Sequence, residues 1–195
     1  MAWQVVTPPA EEPVSLDDVL EHCVVVAEED YAYVRGLITK ARRWVEDVLS
    51  RQLVTATWSL WLDRFPKRAV DVIEIPKAPL QSIDAIRYTD VAGDVQTWSS
   101  DEYQADVLSE PARIRPLYGY TWPVTTARAL NAVEIVMTAG YGDPADVPQT
   151  AIHAIELLVA HWFAHREPIA AGPAVTPVPF TIESLLASES WGRYP

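Results

Sequence analysis

Ala139-Gly-Tyr-Gly-Asp-Pro-Ala-Asp-Val-Pro148 runs directly into Gln149–Glu167, a stretch ending His161-Trp-Phe-Ala-His165-Arg-Glu167. Two glycines and two prolines within ten residues end one element and restart the chain in a new direction. Before them, Val133–Ala139 reads as a strand. After them, Ala151, Ile152, Ile155, Leu158, Val159, Trp162 and Phe163 recur at helical spacing, which predicts a helix over 149–167. The stretch is thus a joint where β structure returns to a helix. His161 and His165 lie one helical turn apart on it, either as a metal pair or as residues packing a body helix.

The metal reading is thin. Trp162 stands where an H-E-x-x-H metalloprotease carries its glutamate. Glu167 points away from both histidines on the wheel, and His153 is displaced by about 80° from His161. Other chemistry is equally sparse. There is no G-x-S-x-G, and Gly140-x-Gly142 has neither a third glycine nor a Lys-Ser/Thr, so it reads as a turn. No spacing of acids singles out a general acid/base pair. Cys23, the single cysteine, stands among Leu20–Val26 and reads as a buried small hydrophobe. It excludes a disulfide framework and a multi-cysteine zinc site. The chain is read as a non-enzyme without cofactors; a hydrolase using His161 and His165 is the minor alternative.

Outward from the joint, the preceding ninety residues alternate with period two. Trp58, Leu60 and Leu62 alternate with Ser59, Trp61 and Asp63. Further strands are expected at Val70–Ile75, Ile83–Thr89, Val95–Trp98 and Ala112–Arg115, separated by Gly- and Pro-containing turns. Six short strands predict a small antiparallel sheet, sandwich or barrel-like module over 53–146.

Earlier still, the pattern is helical. Residues 1–13 are Pro-rich and read as extended. Ser15 caps a short helix over 16–23, with Asp17 and Asp18 in its first turn. A second helix spans about 30–50, with Tyr33, Val34, Leu37, Ile38, Ala41, Trp44, Val45, Val48 and Leu49 on one half. Its other half carries Arg35, Lys40, Arg42 and Arg43, the chain's basic run. Arg42–Glu46 and Arg43–Asp47 are i,i+4 pairs, so this face reads either as solvated and partly self-neutralised or as a partner-binding stripe. After Pro168, a Pro/Gly-rich loop leads to a short helix over 182–187 and an aromatic tail with Trp191 and Tyr194.

The formal net charge of −12 leaves no basic surplus for gripping a phosphate backbone. The N-terminus lacks a signal-peptide pattern and no apolar run is long enough for a membrane span, so a soluble protein made in the cytoplasm is expected. Eight tryptophans and eight tyrosines suggest contact surfaces.

Taken in order, these segments resemble the head–tail connector (adaptor) proteins of long-tailed phages and gene transfer agents. The likeness rests on Pro13-Val-Ser-Leu16, Leu37-Ile38, Ala41 and Trp44-Val-Glu46. It continues through Arg51-x-Leu53, Trp58-x-Leu60-x-Leu62-Asp63, Pro76-x-x-Pro79-Leu-Gln-Ser-Ile83, Ala139-Gly-Tyr-Gly142, Val147-Pro148, His161-Trp162 and Arg166-Glu167. Cys23-Val-Val-Val26 departs from it, where a more polar helix end is expected.

The resemblance implies an α+β fold. A helical bundle would form from both chain ends (1–52 plus 147–187), with an inserted antiparallel β-rich module (53–146) and a tail (188–195). It implies a virion protein at the head–tail interface, forming a ring of twelve under the portal. That ring would extend a channel through which DNA passes without sequence-specific binding, and would dock stopper or tail-completion proteins. Candidate subunit-interface residues are Arg35, Lys40, Arg42 and Arg43 facing Glu28, Glu29 and Asp30 of the next subunit. Candidate portal-docking residues are Phe180, Leu185, Leu186, Trp191 and Tyr194. Another oligomeric tail or virion module is the alternative.

Overall fold

A computed structural model of this α+β chain describes residues 1–125 and 130–165, with Ile182, Leu185 and Leu186; eight strands and three α-helices lie within 1–165 among these described residues. The order is β1 (Ala2–Thr7), α1 (Leu16–His22), α2 (Tyr31–Leu49), β2 (Ala56–Leu62), β3 (Ile73–Ile75), β4 (Leu80–Thr89), β5 (Val95–Trp98), β6 (Tyr103–Asp106), β7 (Ala112–Pro116), β8 (Val133–Ala139) and α3 (Gln149–Ala164). The chain divides into two compact units, Met1–Ala10 with Thr55–Tyr141 and Glu11–Val54 with Gly142–Pro195.

The first unit is two antiparallel sheets, ordered β1-β2-β8-β4-β5 and β3-β7-β6. Period-two alternation supplies their shared core. Leu60, Ile86, Ile135 and Met137 of the larger sheet and Ile73, Ile75 and Ile114 of the smaller are buried in one cluster. The Pro76–Pro79 segment carries the chain from the small sheet to the large one. Phe65, Trp98 and Trp122 close one part of the core, with ring centroids 5.3–5.6 Å apart. The Trp122 indole N–H donates to the Arg68 carbonyl at 3.0 Å, so its one polar group is satisfied in a buried setting.

Two strands go beyond the six expected. β6 is short and polar, a weak sequence signal. β1 lies in the Pro-rich segment read as merely extended and assigned to the helical part. It pairs instead with β2, Trp3 opposite Leu60, more than fifty residues away in sequence. Period-two reasoning about neighbouring residues does not see a partner so distant.

The second unit holds α1, α2 and α3. The apolar half of α2 and the arc of α3 pack together: Val34, Leu37, Ile38, Ala41 and Val45 are buried, as are Ala151, Ala154, Ile155, Leu158 and Val159. Val48, expected on that apolar half, is exposed. The joint at 139–148 is held by local geometry. Gly142 has φ +140, and a Cβ there would run into the Asp146 carboxylate. That carboxylate accepts from the Asp143 N–H at 3.0 Å. α3 ends at Ala164, about one turn short of the predicted 167.

α1 ends in an unusual way. The Val25 N–H reaches the Leu20 carbonyl and the Val24 N–H the Glu21 carbonyl, the paired bonds of a Schellman ending. The residue forced into the left-handed region, φ +54, is Val24 rather than glycine. Its side chain is 81% exposed, so it gains little packing in return. Val24→Gly is therefore expected to stabilise the chain by about 1 kcal/mol, since a β-branched residue pays the left-handed penalty in full. A chemical denaturation midpoint lower than wild type would overturn this.

Candidate assembly surfaces

The basic face of α2 divides in two. Arg42, expected on it as solvent-facing or interface-facing, is 7% exposed. Its Nε donates to Glu12 Oε2 at 2.7 Å and its Nη1 to Glu46 Oε2 at 2.8 Å. Glu12 also accepts from the Thr39 hydroxyl at 2.8 Å. Glu46 accepts from Gln52 Nε2 at 2.7 Å and from the Leu53 N–H at 3.2 Å. The i,i+4 pair read from the sequence does form, but as part of a buried network within the helical unit. Arg42 is thereby taken out of the exposed stripe. Arg35, Lys40 and Arg43 remain exposed on α2, with no ion pair between Arg43 and Asp47 among the described residues.

The acidic counterpart starts at a short 3-10 turn, Glu28–Asp30, and not at the first turn of α2. Glu28 and Glu29 are exposed, and Asp30 is half-buried. Glu11, Asp17, Asp18 and Glu21 add to this side of the sequence as exposed acids, Asp18 accepting the Ser15 hydroxyl at 2.6 Å. Within the same unit a groove of about 680 Å³ runs along Val14, Ile38 and Ile152, with Glu11, Asp18 and Arg35 on its walls.

Among the described residues, the histidines gather no third ligand. His161 and His165 rings lie 4.7 Å apart, and His165 Nδ1 is 2.9 Å from the His161 carbonyl. His153 instead approaches Glu156 at 3.5 Å and His22 edge-on. Among the described residues no three His, Cys, Asp or Glu side chains come together as a ligand group. Cys23 is half-buried, not buried as read; burial first and Glu156 second push its thiol up, away from the reactive thiolate.

Of the portal-docking candidates, Phe180, Trp191 and Tyr194 lie outside the described residues. Leu185 is half-buried and Leu186 is 1% exposed, so Leu186 belongs to an interior. The tryptophans are a second correction. Seven of the eight are described, and each is buried or half-buried. Among the described residues, the exposed aromatics are Tyr118 and Tyr120, in a loop between β7 and β8 that also exposes Leu117, Val124 and Leu130. Turn signals at Tyr118-Gly119 and Trp122-Pro123 mark that loop, but nothing in spacing says which rings face out.

The small sheet carries one more charged feature. Asp106 takes the Ser109 hydroxyl at 2.7 Å and Arg113 at 2.6 Å, beside Arg115 and Gln104. The Ser109 hydroxyl first and Arg113 second hold its carboxyl far below the usual range. It organises the β6–β7 turn, also accepting from the Leu108 and Ser109 N–H groups.

No family model matches the sequence, and no curated protein matches it significantly. Solved structures do. A chain from "Neck of empty GTA particle computed with C6 symmetry" superposes with a TM-score of 0.79 at 22% identity. One from "Virion of native gene transfer agent (GTA) particle" gives 0.80 at 21%, and one from "Neck of native GTA particle computed with C12 symmetry" 0.73 at 23%. Each match covers 100% of this chain and 98% of the other. The chain thus shares, end to end, the fold of chains from gene transfer agent particles.

Proposed function

We propose that this chain is a structural protein of a virion neck, a head–tail connector that forms a ring below a portal and carries no enzymatic activity. The observation that carries the reading is the end-to-end fold match to chains of particles and necks, including one computed with twelve-fold symmetry. A helical unit drawn from Glu11–Val54 and from Gly142 onward, with most of the β-rich unit between those two segments in sequence, supports that reading. The net charge of −12 supports a conduit that repels DNA and does not grip it.

Within the ring, exposed Arg35, Lys40 and Arg43 of one subunit would face Glu28 and Glu29 of the next. Such rim charges are screened by salt and tune assembly more than they drive it. Portal contact is assigned to the segment after Phe180, through Trp191 and Tyr194, and stopper or tail-completion proteins would dock on the ring's other side.

Negative-stain imaging and native mass spectrometry of the purified protein, alone and mixed with its portal, test the reading. Rings, free or portal-bound, are expected; a chain that stays monomeric in both settings would refute it. Arg35→Glu with Arg43→Glu is expected to weaken assembly, most visibly at low salt. Ring yield unchanged at every ionic strength would remove this charge pairing while leaving the connector role intact.

A further inference from the structure

The five-stranded sheet has two edges, β1 and β5. Native sheets blunt such edges with charge, proline or shortness, because an open row of N–H and C=O groups recruits another strand. β1 has none of these three, and its one irregularity is a bulge at Val6. Ala2-Trp-Gln-Val-Val-Thr7 contains no charged residue and no proline, and five of its six residues are exposed. Val5 and Val6 are 43% and 52% exposed on it. The opposite edge, Val95-Gln-Thr-Trp98, is also uncharged, and its first three residues are exposed.

Each strand in this sheet is antiparallel to its neighbour. Across five strands, β1 and β5 therefore run in the same direction. Two copies related by rotation about a ring axis can set β5 of one beside β1 of the next as a parallel pair. That contact is heterologous and repeats around a ring, whereas β1 on β1 would use up the edge in a two-fold dimer.

We infer that β1 is an assembly strand, adding to the β5 edge of a second copy of this chain so that the sheet continues from subunit to subunit. The inference rests on the ring reading above. Four residues of β5 limit the seam to about 13 Å. Main-chain bonds supply the pairing, and the uncharged edges admit it.

Val6 is the test position, because the β1–β2 register skips it at a bulge and a lysine there loses no cross-strand partner. Full-length Val6→Lys and Thr97→Lys are expected to lose rings in sedimentation velocity and negative stain with unchanged circular dichroism; Thr97 stands opposite Arg87 across β4–β5, so the second lysine also lowers the melting temperature slightly. Val6→Lys combined with Thr97→Glu is expected to regain them. The two positions sit on opposite edges of one sheet, so only a neighbouring copy can bring them together. Normal rings from both lysine variants would overturn the inference. So would loss from Val6→Lys alone, or no recovery in the double variant, since another protein's strand would then occupy β1. If Val6→Lys fails to fold, Thr97→Lys and the restored pair Thr97→Lys with Val6→Glu decide. Should the wild type form no ring with or without portal, the connector reading itself fails before any variant is made.

Discussion

Arg42→Ala is expected to lower the unfolding free energy by about 3–5 kcal/mol, the range for removing one partner of a buried ion pair. The guanidinium lies between Glu12 and Glu46, and Glu46 is 8% exposed. Without Arg42, the Glu46 carboxylate retains Gln52 Nε2 and the Leu53 N–H but loses the guanidinium that offsets its desolvation. The network also spans distant segments. Glu12 precedes α1, Arg42 and Glu46 lie on α2, and Gln52 and Leu53 lead out of it. Breaking its centre loosens the exit of α2 along with the helix face. Glu46→Gln keeps the shape and removes the charge, so it should cost less than Arg42→Ala. Urea denaturation of the three proteins checks both statements; an Arg42→Ala loss under 1 kcal/mol would mean that the site rehydrates freely.

Trp98→Ala should cost a similar amount, about 3–5 kcal/mol, for a different reason. Trp98 is 3% exposed and sits against Phe65, Trp122 and Tyr103, its ring centroids 5.0–5.6 Å from theirs. Its removal leaves a large void among rings that cannot collapse without moving the Phe65 loop and the Tyr103 strand together. Because Trp98 is also the residue of β5 paired with Ile86, the small edge strand should fray. Hydrogen exchange localised to Val95–Trp98 and to β6 would separate this outcome from global destabilisation. Trp98→Phe, which retains most of the volume, should recover more than half of the loss.

How far the sequence reads depends on the range of the interaction that fixes each feature. α2 and α3 repeat an apolar pattern every three to four residues over many turns, and both helices stand within a few residues of the expected bounds. Val95–Trp98 and Val133–Ala139 coincide with their expected spans, since alternation and turn residues bound them locally. The candidate surface was legible only as a composition. Arg35, Lys40, Arg42 and Arg43 look alike along the helix, yet Glu12 and Gln52 turn Arg42 and Glu46 into an interior pair. Burial is decided by what arrives from elsewhere, and a helical wheel contains no information about arrivals.

The same division applies to the joint at 139–148. Its glycines and prolines determined by themselves that a strand ends there and a helix begins, because φ restrictions and a missing N–H act on neighbouring residues alone. That α2 and α3 share a core, that seven tryptophans turn inward or lie half-covered, and that Ala2–Thr7 becomes the uncharged edge of a five-stranded sheet were decided by tertiary structure. These features depend on pairings across fifty or more residues, whose closure is repaid by burial and hydrogen bonding in the folded whole.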